Sequence, residues 1–310
     1  MPGAFAHIAA VNHLTSGNRL GTINVSKEIK HAITTQNEFC FMGAVSPDYP
    51  YLVPLDKAAH AWADAVHWGG TGGLIASGIR EIKKITDQED KERAMAWLMG
   101  FLAHVGMDMT IHPIVEIIAG IYSESPENQE KHRVCEMHQD VYIWQTLKLG
   151  APGESEAIGC IQLCGDVEGD AVHPAVRQVW ETMLRENFPE IYKKDPPDIN
   201  KWHKWFYRLV NSVEESHKFY AWARHISVDK GCTYPTPEEV DPCYIKKLKV
   251  PGGAPMDYDQ LFELALKNVI HLWETVSVSL EKDYEIKLSV LGEWNLDRGM
   301  DESERHVFWS

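Results

Sequence analysis

Residues 92–112 read Glu92-Arg93-Ala94-Met95-Ala96-Trp97-Leu98-Met99-Gly100-Phe101-Leu102-Ala103-His104-Val105-Gly106-Met107-Asp108-Met109-Thr110-Ile111-His112. Ala94, Trp97, Leu98, Phe101, Leu102 and Val105 recur at spacings of three and four, the period of a helix with a buried face. Polar residues interrupt that pattern at His104, Asp108 and His112, spaced i, i+4, i+8. At ~100° per residue each step of four turns ~40°, so the three lie along one slowly winding stripe. An unpaired carboxylate among such apolar neighbours is costly, so Asp108 needs a cation. No Lys or Arg lies within eight residues of it, whereas two histidines flank it. A metal ion satisfies all three groups at once. Pro113 disfavours a helical conformation at His112, and the helix is expected to end or kink there.

Outward from this stretch, helical periodicity dominates and the fold class is mainly α. Ser125 suits an N-cap, Pro126 the first helical position and Glu127 the positive end of the dipole. A helix is therefore expected from Ser125 to about Leu149, with Gly150 as its stop. It carries His132 and Glu136 at i, i+4, with His138 and Asp140 beyond as candidates to orient a ligand. Two further helices are expected at roughly 199–226 and 257–283. Pro235, Pro237, Pro242, Pro251 and Gly252-Gly253 mark 227–256 as a long surface connection. We expect a single domain over 1–310, with metal motifs in 2–145, a helical part in 150–290 and a polar, peripheral tail in 293–310.

The N-terminal part adds further donors. Gly43-Ala44-Val45-Ser46-Pro47-Asp48 is an apolar run ending in a turn that presents Asp48. His60 and His67 follow in His60-Ala61-Trp62-Ala63-Asp64-Ala65-Val66-His67-Trp68; the His-Trp pair favours His67. His7 stands five residues after Pro2. Nitrogen and oxygen donors without cysteine suit Zn²⁺ in an open, catalytic setting. So many donors exceed the needs of one ion, which implies a cluster of two or three. Gly69-Gly70-Thr71-Gly72-Gly73 lacks the downstream Gly-Lys-Ser/Thr of a phosphate loop and reads as a flexible loop, a lid beside the metals. Cys160-x3-Cys164 reads as two buried thiols.

Composition narrows the function. The chain has 310 residues and a formal net charge of −15, which opposes long nucleic acids and anionic membranes but not a local phosphate site. No apolar run reaches the ~18–20 residues of a membrane helix, so no transmembrane segment is expected. The N-terminus lacks the basic and long apolar regions of a signal peptide, and six cysteines are no disulfide framework. A cytoplasmic chain is expected. The eleven tryptophans read as core filling.

Taken in order, these motifs resemble the zinc-dependent phospholipase C family, related to the S1/P1 single-strand nucleases. The His104-x3-Asp108-x3-His112 stripe followed by His132-x3-Glu136 resembles the family's central ligand helices. The segment ending in Asp48, and His67-Trp68, are similar to the branch that includes glycosylphosphatidylinositol-specific phospholipase D. The resemblance covers about residues 2–145 and implies a multi-helix bundle of the zinc-dependent phospholipase C/P1 nuclease type. It also implies three zinc sites. Asp48, His67, His104 and Asp108 would hold one ion, and His112, His132 and Glu136 a second. His7, a shared Asp108 and the amine of Pro2 would hold the third. The implied function is phosphate-ester hydrolysis, phospholipase C-like, through a zinc-bound water with Asp48 as general base, on a small phosphate ester. The alternatives are a nuclease or nucleotidase, and a zinc-stabilised binding protein without catalysis.

Overall fold

The computed structural model describes residues 3–150, 156–165, 171–214, 234–281 and 288–309. Along the chain run α1 (Ala4–Thr15), α2 (Arg19–Thr22), α3 (Lys27–Thr35), α4 (Asn37–Val45), α5 (Lys57–Trp68), α6 (Thr71–Lys84) and α7 (Gln88–Ala119). They are followed by α8 (Pro126–Thr146), α9 (Glu156–Ile161), α10 (Pro174–Asn187), α11 (Pro189–Lys194), α12 (Ile199–Glu214), α13 (Tyr258–Glu281) and α14 (Leu288–Leu291). Among the described residues the sheet is one antiparallel hairpin, β1 (Trp294–Asn295) with β2 (Met300–Asp301), in which Trp294 pairs with Asp301 and Asn295 with Met300.

Helix α7 is the axis of the bundle. Every residue from Ala94 to Val115 is buried, so the helix is covered on all sides rather than on one face, as expected of a helix apolar all round. Asp87 starts it by accepting from the Asp90 amide at 2.9 Å, a side-chain N-cap. Gly120 ends it at φ +90°, with its amide bonded to the Glu116 carbonyl at 2.8 Å. The expected break at Pro113 does not occur, because Pro113 lies inside the helix. Proline cannot donate to the carbonyl four residues back, which is that of Met109, and the backbone of Gly299 packs there instead. A Cβ on Gly299 would lie 2.5 Å from Pro113 Cδ and 2.8 Å from the Met109 oxygen. Running on to Ala119 makes α7 long and apolar enough to cross a membrane by length and composition. The sequence reading, which broke the helix at Pro113, found no such run. Its apolar window is wholly buried inside the bundle.

Glycines decide how closely α4 approaches this axis. A Cβ on Gly43 would overlap the Trp97 carbonyl, and one on Gly100 would overlap the Cys40 carbonyl and sit 2.8 Å from the Ala44 amide. With only hydrogens there, the two backbones touch. Tryptophan fills the space around them: Trp62, Trp97, Trp144 and Trp273 are among the largest fully buried side chains. Burying such a side chain is worth ~25 cal/mol per Å² of apolar surface, so these rings are anchors of the core, as the sequence suggested.

Helix α8 begins where its sequence signals place it. Ser125 Oγ accepts from the Asn128 amide at 3.1 Å, with Pro126 at the first helical position. The helix ends at Thr146 rather than Leu149. Of the expected 199–226 helix, residues beyond 214 lie outside the described part. The described stretch 234–256 is more than a surface connection. Tyr234, Ile245 and Leu248 are buried, and the Tyr244 carbonyl accepts from Gln139 Nε2 on α8 at 3.2 Å.

Two further expectations are corrected. Thr71, Gly72 and Gly73 are the first turn of α6, not a loop; only Gly69-Gly70 connects it to α5. The absence of side chains there serves packing, since the Gly73 amide donates to Glu293 Oε1 at 3.2 Å. The C-terminal tail is not peripheral either. Leu291 and Leu296 are fully buried and Trp294 nearly so, and Thr71 Oγ1 donates to the Trp294 carbonyl at 2.9 Å. Apolar residues at 294, 296 and 300 in an otherwise polar segment press it onto the bundle.

Candidate metal centre

The donors expected from the sequence come from five elements. His7 lies on α1, Asp48 on the 3₁₀ turn Ser46–Leu52, and His67 on the last turn of α5. His104, Asp108 and His112 lie on α7, and His132 and Glu136 on α8. The structure brings them into three groups: His7 with His104 and Asp108; Asp48 with His67 and His104; and His112 with His132 and Glu136. In each group the donor atoms lie within 4.8 Å of one another. Pro2 lies outside the described residues.

Asp108 and His104 join the first two groups. His104 Nε2 is 3.1 Å from Asp108 Oδ2 and 3.8 Å from Asp48 Oδ1. His7 Nε2 approaches Asp108 Oδ1 at 3.2 Å, and His67 Nε2 lies 3.2 Å from Asp48 Oδ1 and 3.8 Å from Asp108 Oδ2. The rings of His7 and His104 stack with centroids 4.2 Å apart. In the third group Glu136 Oε1 is 2.8 Å from His132 Nε2 and 3.7 Å from His112 Nε2.

Three of the imidazoles are turned by main-chain carbonyls. His67 Nδ1 donates to the Ala63 carbonyl at 2.8 Å, one turn back on its own helix. His104 Nδ1 donates to the Ala44 carbonyl at 3.0 Å, within reach because of the glycine contact between α4 and α7. His112 Nδ1 donates to the carbonyl of Leu296. A carbonyl only accepts, so each Nδ1 keeps its proton and each Nε2 faces the group.

Burial and charge set the protonation of this site in the metal-free chain. Burial pulls the His67 imidazole down, but the Asp48 hydrogen bond and the charges of Asp297, Asp48 and Asp108 outweigh it and raise it to about 9. His104 is also raised, because the Asp108 and Asp48 carboxylates outweigh burial. Burial holds His7 below its ordinary value, and His104 adds to that. Burial takes His132 down to about 4. Burial would raise Asp108, yet the charges of His104 and His112 and the bonds from His104 and His7 hold it well below the carboxylate range.

These donors fit zinc. His7 Nε2, Asp48 Oδ1, both Asp108 oxygens and His112 Nε2 are buried with no hydrogen bond of regular geometry; each faces other donors of the three groups, at 3.1–3.8 Å, although buried polar groups are normally satisfied. Neutral imidazoles and carboxylates with no cysteine among them are the donor set of catalytic zinc. A cation bound here would compete with the proton that the surrounding carboxylates favour on His67.

Several candidates fall elsewhere. His60 bonds through Nε2 to the Val53 carbonyl at 3.0 Å, outside the three groups. His138 accepts from the Asp241 amide at 3.0 Å and stacks on Tyr244, so it orients no ligand. Asp140 caps α1 instead, accepting from the Ala6 amide and from the Tyr234 hydroxyl, each at 2.8 Å. It steadies the helix that carries His7. Burial is the chief cause that raises its carboxyl to about 8. Cys164 is buried and Cys160 half-buried.

Sequence reasoning missed the rim. Tyr51 lies 5.7 Å from the His67 ring and donates to Asp64 at 2.8 Å. Tyr122 lies edge-on to His132 at 5.1 Å. Asp297, which accepts from Trp68 Nε1 at 2.7 Å, acts electrostatically on His67, Tyr51 and Tyr122 alike. Beside Trp68, the neighbour of His67, a cleft of about 480 Å³ is lined by Gly69, Gly70 and the hairpin residues Asn295, Arg298 and Met300, together with the acids Glu293, Asp301, Glu302 and Glu304. The turn residues Asn295 and Gly299 beside Trp294 were the available signal for this element.

The model of the family described as zinc dependent phospholipase C matches residues 6–220. No curated protein and no solved structure matches the chain.

Proposed function

Because the chain belongs to the zinc-dependent phospholipase C family, we propose that it hydrolyses a small phosphate ester as a phospholipase C-like phosphodiesterase. The observation that supports this most is the sharing of donors. His104 belongs to two of the three groups, and Asp108 reaches His7, His67 and His104 within 3.8 Å. Closed structural sites keep their ligands to themselves, whereas shared carboxylates are suited to clustered ions.

In this reading Asp48, His67, His104 and Asp108 hold one zinc ion, and His112, His132 and Glu136 a second. His7 and the shared Asp108 contribute to a third. When bound, the ions supply positive charge for phosphoryl oxygens and bring water toward ionisation near neutral pH. Asp48, on a short turn and 8 % exposed, accepts the proton of the attacking water. The water oxygen bonds to phosphorus, the bond from phosphorus to the leaving oxygen breaks, and the proton taken up by Asp48 passes to that oxygen, which departs as an alcohol. Tyr51 and Tyr122 stand against His67 and His132 and limit the approach of water to them.

The test measures zinc content and hydrolysis of phosphocholine esters, single-stranded DNA and mononucleotides, with and without chelator. Chelator-sensitive hydrolysis of phosphocholine esters is the expected result. Turnover of DNA or mononucleotides alone would replace the reading with a nuclease or nucleotidase. Bound zinc without any turnover would replace it with a binding protein.

A further inference from the structure

We propose that the main-chain carbonyl of Leu296 is the positioning group that sets the metal affinity of the His112–His132–Glu136 group. The centre is then completed by a hairpin outside the 6–220 family match. The inference rests on the zinc reading above.

Three imidazoles borrow a carbonyl for Nδ1, from Ala63, Ala44 and Leu296. The first two acceptors lie on helices inside the matched residues. The third arrives from the turn between β1 and β2, 184 residues after His112. His112 sits on an unbroken helix, yet its Nδ1 bonds to the hairpin and not, as in His67, to a carbonyl one turn back on its own helix. The ring's direction is therefore set by where the hairpin sits.

The hairpin is fixed on both sides of Leu296. Its amide donates to the His67 carbonyl at 2.6 Å, so one residue ties the α5 ligand to the α7 ligand. Trp68 Nε1 donates to Asp297 Oδ2 at 2.7 Å. Arg298 pairs with Glu116, one turn beyond His112 on α7, at 3.3 Å. Gly299 takes φ +61° against Pro113, where a Cβ does not fit. The Leu296 side chain is fully buried. Partners that orient a metal-binding histidine are worth about 10–100-fold in affinity.

The test uses the full chain and zinc alone, with Arg298→Ala and Gly299→Ala as variants. Arg298 is half-exposed, so its removal leaves the core intact, and Gly299→Ala pushes the turn off Pro113 directly. Zinc affinity is read by competition with a chromophoric chelator, and helicity by circular dichroism. Wild type should bind all its zinc tightly. In both variants one equivalent should weaken by about 10–100-fold while the others hold and helicity is unchanged. Arg298→Lys should restore part of the affinity. Loss spread equally over all equivalents, or unchanged affinity in folded variants, overturns the inference while leaving the zinc reading standing. A wild-type chain that takes up no zinc removes both.

Discussion

His104 donates from Nδ1 to the carbonyl oxygen of Ala44 across two helices, at 3.0 Å. The bond is possible because Gly43 and Gly100 bring the backbones of α4 and α7 into contact. Gly100→Ala should therefore act on both stability and the metal centre. An overpacked core contact costs about 1–3 kcal/mol, and the displaced α4 withdraws the acceptor from His104. Chemical denaturation and zinc titration of the same variant check both effects. A stability loss with unchanged zinc affinity would show that the Ala44 carbonyl does not orient His104.

Asp108 carries the heaviest electrostatic demand in the site. Asp108→Asn keeps the shape and removes the charge that His7, His67 and His104 face. The expected outcome is loss of at least one zinc equivalent and of hydrolysis. Metal analysis after purification without chelator reads the first, and an ester assay the second. Full zinc content in this variant would remove Asp108 from the ligands.

His60 and His67 lie on the same helix and separate cleanly. His67→Ala should lower zinc content, because it leaves Asp48 and His104 without their third donor. His60→Ala and His138→Ala should leave it unchanged, since their ring nitrogens bond to Val53 and Asp241 backbone. Zinc content measured across the three variants checks the ordering.

Asp140 supplies a pH dependence. Burial raises its carboxyl from 3.8 to about 8 in the fold. The folded chain thus keeps a proton that the unfolded chain releases above pH ~4. Its contribution is complete below that value and drains away as pH rises to about 8, by up to about 1.4 kcal/mol per pH unit. Asp140→Asn should flatten this decline while still accepting from the Ala6 amide. Urea denaturation of chelator-treated protein at pH 5, 6.5 and 8 measures it. Identical slopes for variant and wild type would show that Asp140 does not titrate in this range.

Local signals were legible where a residue's role is decided by near neighbours in the chain. The stripe on α7, the Ser125 cap with Pro126, and the turn presenting Asp48 all rest on spacings of eight residues or fewer. What sequence could not show depends on distant partners. Pro113 stays helical because Gly299, far along the chain, packs against the position where it breaks the bond pattern. The glycine run is partly helix because α6 lies against Glu293. His138 has the spacing of a site residue but faces Asp241. Asp297 was overlooked because a lone acid in a polar tail carries no periodicity.

The distance along the chain between His112 and Leu296 has a consequence for how the centre is assembled in time. All the described donor side chains are present once Glu136 has been synthesised, although His7 must reach across α2 to α6 to meet Asp108. The carbonyl that fixes His112 comes last, after a loop of 184 residues has closed, and such closure slows folding more than it weakens the product. In a nascent chain all eight donors therefore leave the ribosome before the carbonyl that turns His112. On the zinc reading, the last group to be completed is the one that waits for the C-terminal hairpin.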